Sequence, residues 1–126
     1  MRYRALLFAI CIAISPLSLA HEQRSLVVKA SAYTSHVKET NANPNIAAWG
    51  DTLKPGMKVI AVSRDLLELG LKYNQEVRIK GLPGTYRVLD KMNKRWNKKI
   101  DIYMGYDVNK AKQWGVKTVI IYWTEH

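Results

Sequence analysis

Cysteine is almost absent from these 126 residues: the one thiol, Cys11, sits in an apolar stretch near the start of the chain. A lone cysteine excludes a disulfide framework and a thiolate metal site. Histidine is nearly as scarce, and His21, His36 and His126 lie too far apart for two of them to share a helix face or hairpin as metal ligands. A Ser-His-Asp site would have to recruit His36, and no G-x-S-x-G elbow marks a serine. Also missing are a glycine-rich phosphate loop, an internal repeat and a low-complexity tract. The apolar run over residues 5–14 falls short of the ~20 residues that span a bilayer. Metal and cofactor are accordingly both expected to be none.

Arg2 and Arg4 precede that apolar run, and Ser18-Leu19-Ala20 follows it with small residues at both ends. This is the pattern of a secretory signal peptide, so residues 1–20 are expected to be a leader and residues 21–126 a single exported domain. Ile10 before Cys11 does not fit a lipoprotein processing site, and no membrane anchor is expected after cleavage. Without the two leader arginines the chain has 18 Lys and Arg against 10 Asp and Glu, a net charge of +8. Such a charge fits a polyanionic partner. For a periplasmic or secreted protein the nearest polyanions are acidic cell-wall glycan, lipopolysaccharide and anionic lipid, and nucleic acid is not expected. Solubility alone would be the plainer explanation.

Residues 25–33 read as a strand through Leu26, Val27, Val28 and Tyr33, and residues 34–45, polar and containing Pro44, as an irregular loop. Trp49 then serves either as a core anchor or as a platform for a sugar ring. Pro55-Gly56 turns the chain into a strand over 57–62. Ser63 is placed to cap a short helix with Leu66, Leu67 and Leu69 on its apolar side and Gly70 as its stop. The alternation in Glu76-Val77-Arg78-Ile79-Lys80 predicts a strand with one wet face, joined through Gly81-Leu82-Pro83-Gly84 to a hairpin partner over 85–89 with Asp90 at its end. A strand from Ile100, a helix over 108–114 capped by Asp107 and stopped by Gly115, and a strand over 117–123 complete the chain. Six short strands with two short helices predict a mainly β fold closed into a barrel, since the helices are too few for repeated crossovers.

Asp90 and Asp101 bracket the basic loop Lys91-Met92-Asn93-Lys94-Arg95-Trp96-Asn97-Lys98-Lys99. If Ile100 and Ile102 face the core, Asp101 faces outward onto a groove. With Asp90 nearby, charge repulsion would raise one carboxyl pKa and suit a general acid. The alternatives are an Asp101 paired with a lysine and an Asp90 that caps a turn. Lys94, Arg95, Lys98 and Lys99 around Trp96 suit an acidic glycan, with the ring on a sugar face and the cations on carboxylates. A solvated loop is the other reading.

At these residues the chain resembles the 3D domain, a bacterial family named for three aspartates and built on a double-psi β-barrel. The resemblance spans most of residues 21–126. It rests on Ala32-Tyr33-Thr34, Ile60-Ala61-Val62, Asp90 eleven positions before the Asp101 of Ile100-Asp101-Ile102-Tyr103, and Trp114-Gly115 before the last strand. Barrel and aspartate spacing are also similar to the catalytic domain of the membrane-bound lytic transglycosylase A family. The resemblance implies a six-stranded double-psi barrel that cleaves peptidoglycan glycan strands between N-acetylmuramic acid and N-acetylglucosamine. Asp101 would be the acid and Asp90 its support, with Tyr33, Tyr103, Lys94, Arg95, Trp96, Lys98 and Lys99 on the substrate. The chain departs from the family pattern twice. Ser63-Arg64 stands where the family has an aspartate after Ala-Val, and Asp90-Lys91-Met92-Asn93 replaces Asp-Thr-Gly-Gly. A non-catalytic peptidoglycan-binding module and a basic partner for an envelope complex remain as rivals.

Overall fold

A computed structural model of the chain describes residues 22–35 and 45–125. The expected leader, all three histidines and most of the 34–45 loop lie outside the described residues. Strands β1 (Glu22–Tyr33), β2 (Val59–Val62), β3 (Glu76–Ile79), β4 (Tyr86–Lys91), β5 (Lys99–Tyr103) and β6 (Lys117–Glu125) close into one barrel in the order β1-β5-β2-β4-β3-β6. β1 runs parallel to β5 and β2 parallel to β4, while the other neighbours are antiparallel. A 3₁₀ helix (Arg64–Leu69) follows β2, and the helix α1 (Val108–Trp114) precedes β6. Over the described residues, the mainly β, six-stranded barrel with two short helices is thus the observed fold. Among the described residues no helix is long and apolar enough to cross a membrane, and no cluster of three or more metal-ligating side chains occurs.

The period-2 pattern fills the barrel. Val28, Ala30, Ile60, Val62, Val77, Ile79, Val88, Ile100, Ile102, Ile121 and Trp123 form its interior. β3 shows the expected alternation of exposed Glu76 and Arg78 with buried Val77 and Ile79, and it pairs with β4 as an antiparallel hairpin. α1 starts as predicted, with Asp107 accepting the Lys110 amide at 2.9 Å. The indole of Trp114 donates to the Ala30 carbonyl at 2.9 Å, which fastens α1 to β1.

The strands differ in extent from the sequence pattern, most at the ends of β1, β2, β4 and β6. β1 starts at Glu22 because β6 continues to Glu125, and the two ends pair directly, with an Arg24–Glu125 ion pair at 2.7 Å. β2 starts only at Val59, since the Met57 amide closes a turn onto the Lys54 carbonyl. β4 continues to Lys91, drawn on by its parallel pairing with β2.

That pairing contains a bulge between Ile60 and Ala61: Ile60 faces Val88, but Ala61 faces Asp90, which leaves Leu89 as an extra residue on β4. Plain alternation would send Asp90 inward with Val88. The extra residue re-aims it outward, as a one-residue shift always does in a sheet. Leu89 joins Ala47, Leu53, Val59 and Tyr103 in a second apolar cluster, with Tyr33 and Met57 against it. Val59 belongs to this cluster and its neighbour Ile60 to the barrel interior, so the cluster lies outside the barrel wall, beneath the segment 45–57.

Ser63 is fully buried and does not cap the 3₁₀ helix. Its hydroxyl accepts the Lys99 amide at 3.0 Å, while its own amide donates to the Lys99 carbonyl at 2.9 Å, so it locks the end of β2 to the start of β5. Restoring an aspartate here would put a carboxylate into that closed seam. We expect Ser63→Asp to lower stability by at least about 3 kcal/mol in urea denaturation. A variant as stable as wild type would show that the seam has room for a charge.

Candidate functional site

The outward faces of the parallel pair β1 and β5 form three rungs: Lys29 beside Lys99, Ser31 beside Asp101, and Tyr33 beside Tyr103. Successive rungs lie ~6.6 Å apart along the strands. On the far side of β5 the row of the middle rung continues through Ala61 of β2 to Asp90 of β4. Ser31, Asp101, Ala61 and Asp90 thus lie side by side across four strands. Ala61, itself buried, supplies only a methyl group between the two acids.

Asp101 is half-buried, and the Ser31 hydroxyl donates to its Oδ1 at 2.5 Å. Burial pushes the Asp101 carboxyl above its ordinary value; the Ser31 hydrogen bond and the Lys99 charge pull it back, and Asp90 adds the smallest upward push. The sequence pattern pointed to mutual repulsion of the acids as the main cause. Desolvation is the larger one, because Asp90 sits two strands away across Ala61. Among the described residues neither acid forms an ion pair with a lysine, so the plain alternative of an Asp101–Lys bridge does not hold.

Asp90 is fully occupied. Its Oδ2 accepts the Tyr33 hydroxyl at 3.0 Å, and its Oδ1 accepts the amides of Ala48 at 2.8 Å and Lys91 at 2.9 Å. It thereby ties the 45–57 segment to the barrel and orients Tyr33. Burial, followed by the Asp90 charge, raises the Tyr33 phenol far above the usual range, so it stays a neutral donor. Tyr103 lies against Tyr33, with ring centroids 5.5 Å apart, and its hydroxyl shares a 2.8 Å hydrogen bond with Ser35. Because Tyr103 is only 4% exposed, it braces Tyr33 and offers little surface of its own.

The basic loop is ordered at both ends. The Asn93 side chain accepts the Arg95 amide at 3.0 Å, and Lys98, with a positive φ of 47°, donates its amide to Asp65 at 3.0 Å. Lys99 Nζ lies 3.7 Å from the centre of the Trp96 ring, and the Arg95 guanidinium 4.9 Å from it. Lys94 and Lys98 project into solvent. Trp49 proves to be half-buried beside the core, with Lys91 over its ring at 4.9 Å and Tyr73 at 5.2 Å.

The barrel is similar to one already solved. Streptomyces papain inhibitor superposes with a TM-score of 0.51 at 17% identity, over 82% of this chain and 96% of that one. The likeness is one of fold, a small double-psi-like β-barrel. No protein-family model and no curated protein sequence matches the chain.

The structure brings Asp101, Asp90, Tyr33, Tyr103 and Lys99 onto one face, with the rest of the basic loop at its edge. Sequence reasoning passed over Ser31, Lys29 and the Ala48 amide. Ser31 is 70 residues from Asp101 in the chain, and only the β1–β5 register joins them.

The raised carboxyl has a consequence for stability. In the folded chain Asp101 holds its proton more tightly than in the unfolded one, so its contribution is full below the ordinary value of 3.8 and is lost as pH rises through the raised one. Asp101→Asn keeps an acceptor for Ser31 and cannot ionise. Across that window its urea midpoint should gain on wild type as pH rises. A constant difference between the two would overturn the assignment.

Proposed function

We propose that this domain acts on peptidoglycan after export to the periplasm or cell exterior, as a lytic transglycosylase-like enzyme with Asp101 as its acid and base. One observation carries the reading. A half-buried carboxyl, raised by desolvation and held by Ser31, lies on an outward face between a lysine rung and a tyrosine rung. The aspartate spacing and barrel that resemble the 3D and lytic transglycosylase A families supply the substrate. Protonated Asp101 would give its proton to the glycosidic oxygen between muramic acid and glucosamine. The resulting carboxylate would then take the proton of the muramic 6-hydroxyl as that oxygen closes on the anomeric carbon, leaving an anhydro product. One carboxyl serves both steps, which agrees with an Asp90 committed to positioning Tyr33 and the 45–57 segment. The Lys29–Lys99 rung and the loop cations would meet the carboxylates of the muramyl substituents.

A non-catalytic glycan-binding module is the second reading, favoured by the buried serine at position 63 and the bulky loop after Asp90. Purified protein incubated with sacculi should release anhydro-muropeptides detectable by mass spectrometry, and Asp101→Asn should release none. Sedimentation with sacculi but no product from wild type would leave the binding module. Replacing Lys94, Arg95, Lys98 and Lys99 with Gln should weaken sacculus binding and flatten its salt dependence; unchanged binding would mean the loop is merely solvated. Inhibition of papain without any sacculus binding would move the protein toward the activity named for its structural neighbour.

A further inference from the structure

The barrel carries a concave surface away from the acids. A cleft of about 350 Å³ is lined by Gln23, Arg78, Lys80, Gly81, Leu82 and Tyr122 among others. A second hollow of about 230 Å³ also contains Gln23, Arg78 and Tyr122, so the two adjoin. In the ring of six strands, β3 stands opposite β5 and β6 opposite β2. Arg78 and Tyr122, cross-strand neighbours on β3 and β6, therefore face away from Asp101 and Ala61.

The one acid lining these hollows, Glu76, is paired with Arg87, which leaves the other cations of the cleft without a carboxylate. Five arginines lie among the described residues. Arg24 and Arg87 pair with carboxylates, Arg64 donates to the Met92 carbonyl, and Arg95 lies on Trp96. Arg78 alone has a guanidinium with no hydrogen bond, ion pair or ring contact, and it is exposed. Lys80 is likewise exposed and unpartnered two residues on, and no acid lines the larger hollow. Tyr122, half-buried beside Arg78, has neither a hydrogen bond for its hydroxyl nor a partner for its ring. The Gln23 amide is also unused. Next to this group the Gln75 side chain donates to the Thr124 carbonyl at 3.2 Å and holds the floor of the smaller hollow.

A planar cation, a second cation, a phenol ring and an amide that all converge unpartnered on one hollow make the donor set for an anion attached to a flat, hydroxylated body. We propose that this cleft is a second binding site, for a carboxylate-bearing saccharide whose carboxylate is held by Arg78 and Lys80 while its ring lies on Tyr122. The site needs nothing from Asp101 and stands independently of the transglycosylase reading. With it the domain presents anion-binding faces on both sides of the barrel.

The test is an amide-resolved NMR titration of the purified protein with a short oligogalacturonate. Saturable shifts are expected at Gly81, Leu82 and Tyr122, and they should survive in Asp101→Asn. Arg78→Gln removes an exposed guanidinium that makes no hydrogen bond, ion pair or ring contact, so its spectrum should otherwise match wild type, and binding should weaken at least about tenfold. Arg78→Lys keeps the charge but loses the planar fork and should fall between the two. A neutral chito-oligosaccharide and inorganic phosphate should leave these three amides unmoved. Shifts confined to residues 94–99, equal binding by Arg78→Gln, or an equal response to phosphate would each overturn the proposal.

Discussion

Parallel pairing of β1 with β5 is the constraint from which the face around Asp101 follows. It joins segments about 70 residues apart in register, and it stacks a pair of lysines, a serine–aspartate pair and a pair of tyrosines up one wall of the barrel. Shifting this register by one residue would turn Asp101 into the interior and Ile100 and Ile102 outward, so the buried isoleucines hold the acid in place. Closure of the barrel leaves no free sheet edge and fixes β2 against both β5 and β4. Ala61 thereby becomes the spacer between the two carboxyls.

The two acids do different work because their surroundings differ. Asp90 accepts three hydrogen bonds and spends its oxygens on the chain around it. Asp101 accepts one from Ser31, and burial raises its carboxyl above the ordinary value. The position where the resembled family has a third aspartate holds a serine hydroxyl sealed into the β2–β5 seam, with Asp65 turned instead to the Lys98 amide.

Cations are arranged in the same spirit. Lys91, Lys99, Arg95 and Lys117 lie over tryptophan rings, which orders them without neutralising them. Arg78 and Lys80 on the opposite wall are left without partners. The excess positive charge is therefore distributed around the barrel, and the two faces differ in chemistry: one has Asp101 at its centre, while on the other the acid, Glu76, is paired with Arg87.

Alternation of apolar residues, the turn signals and the caps at Asp107, Gly70 and Gly115 were enough to read strand number, helix placement and a closed mainly β fold, because each depends on near neighbours in the chain. The outward direction of Asp101 was legible for the same reason: Ile100 and Ile102 flank it. Tertiary structure decided the rest. Asp90 points outward only because Leu89 bulges from β4, and the bulge exists only relative to β2. Ser63 looked like a helix cap until the β2–β5 seam claimed its hydroxyl. Ser31, Lys29 and the Arg78–Tyr122 pair acquire meaning through cross-strand register, which brings together residues tens of positions apart and leaves no periodic mark in the sequence between them.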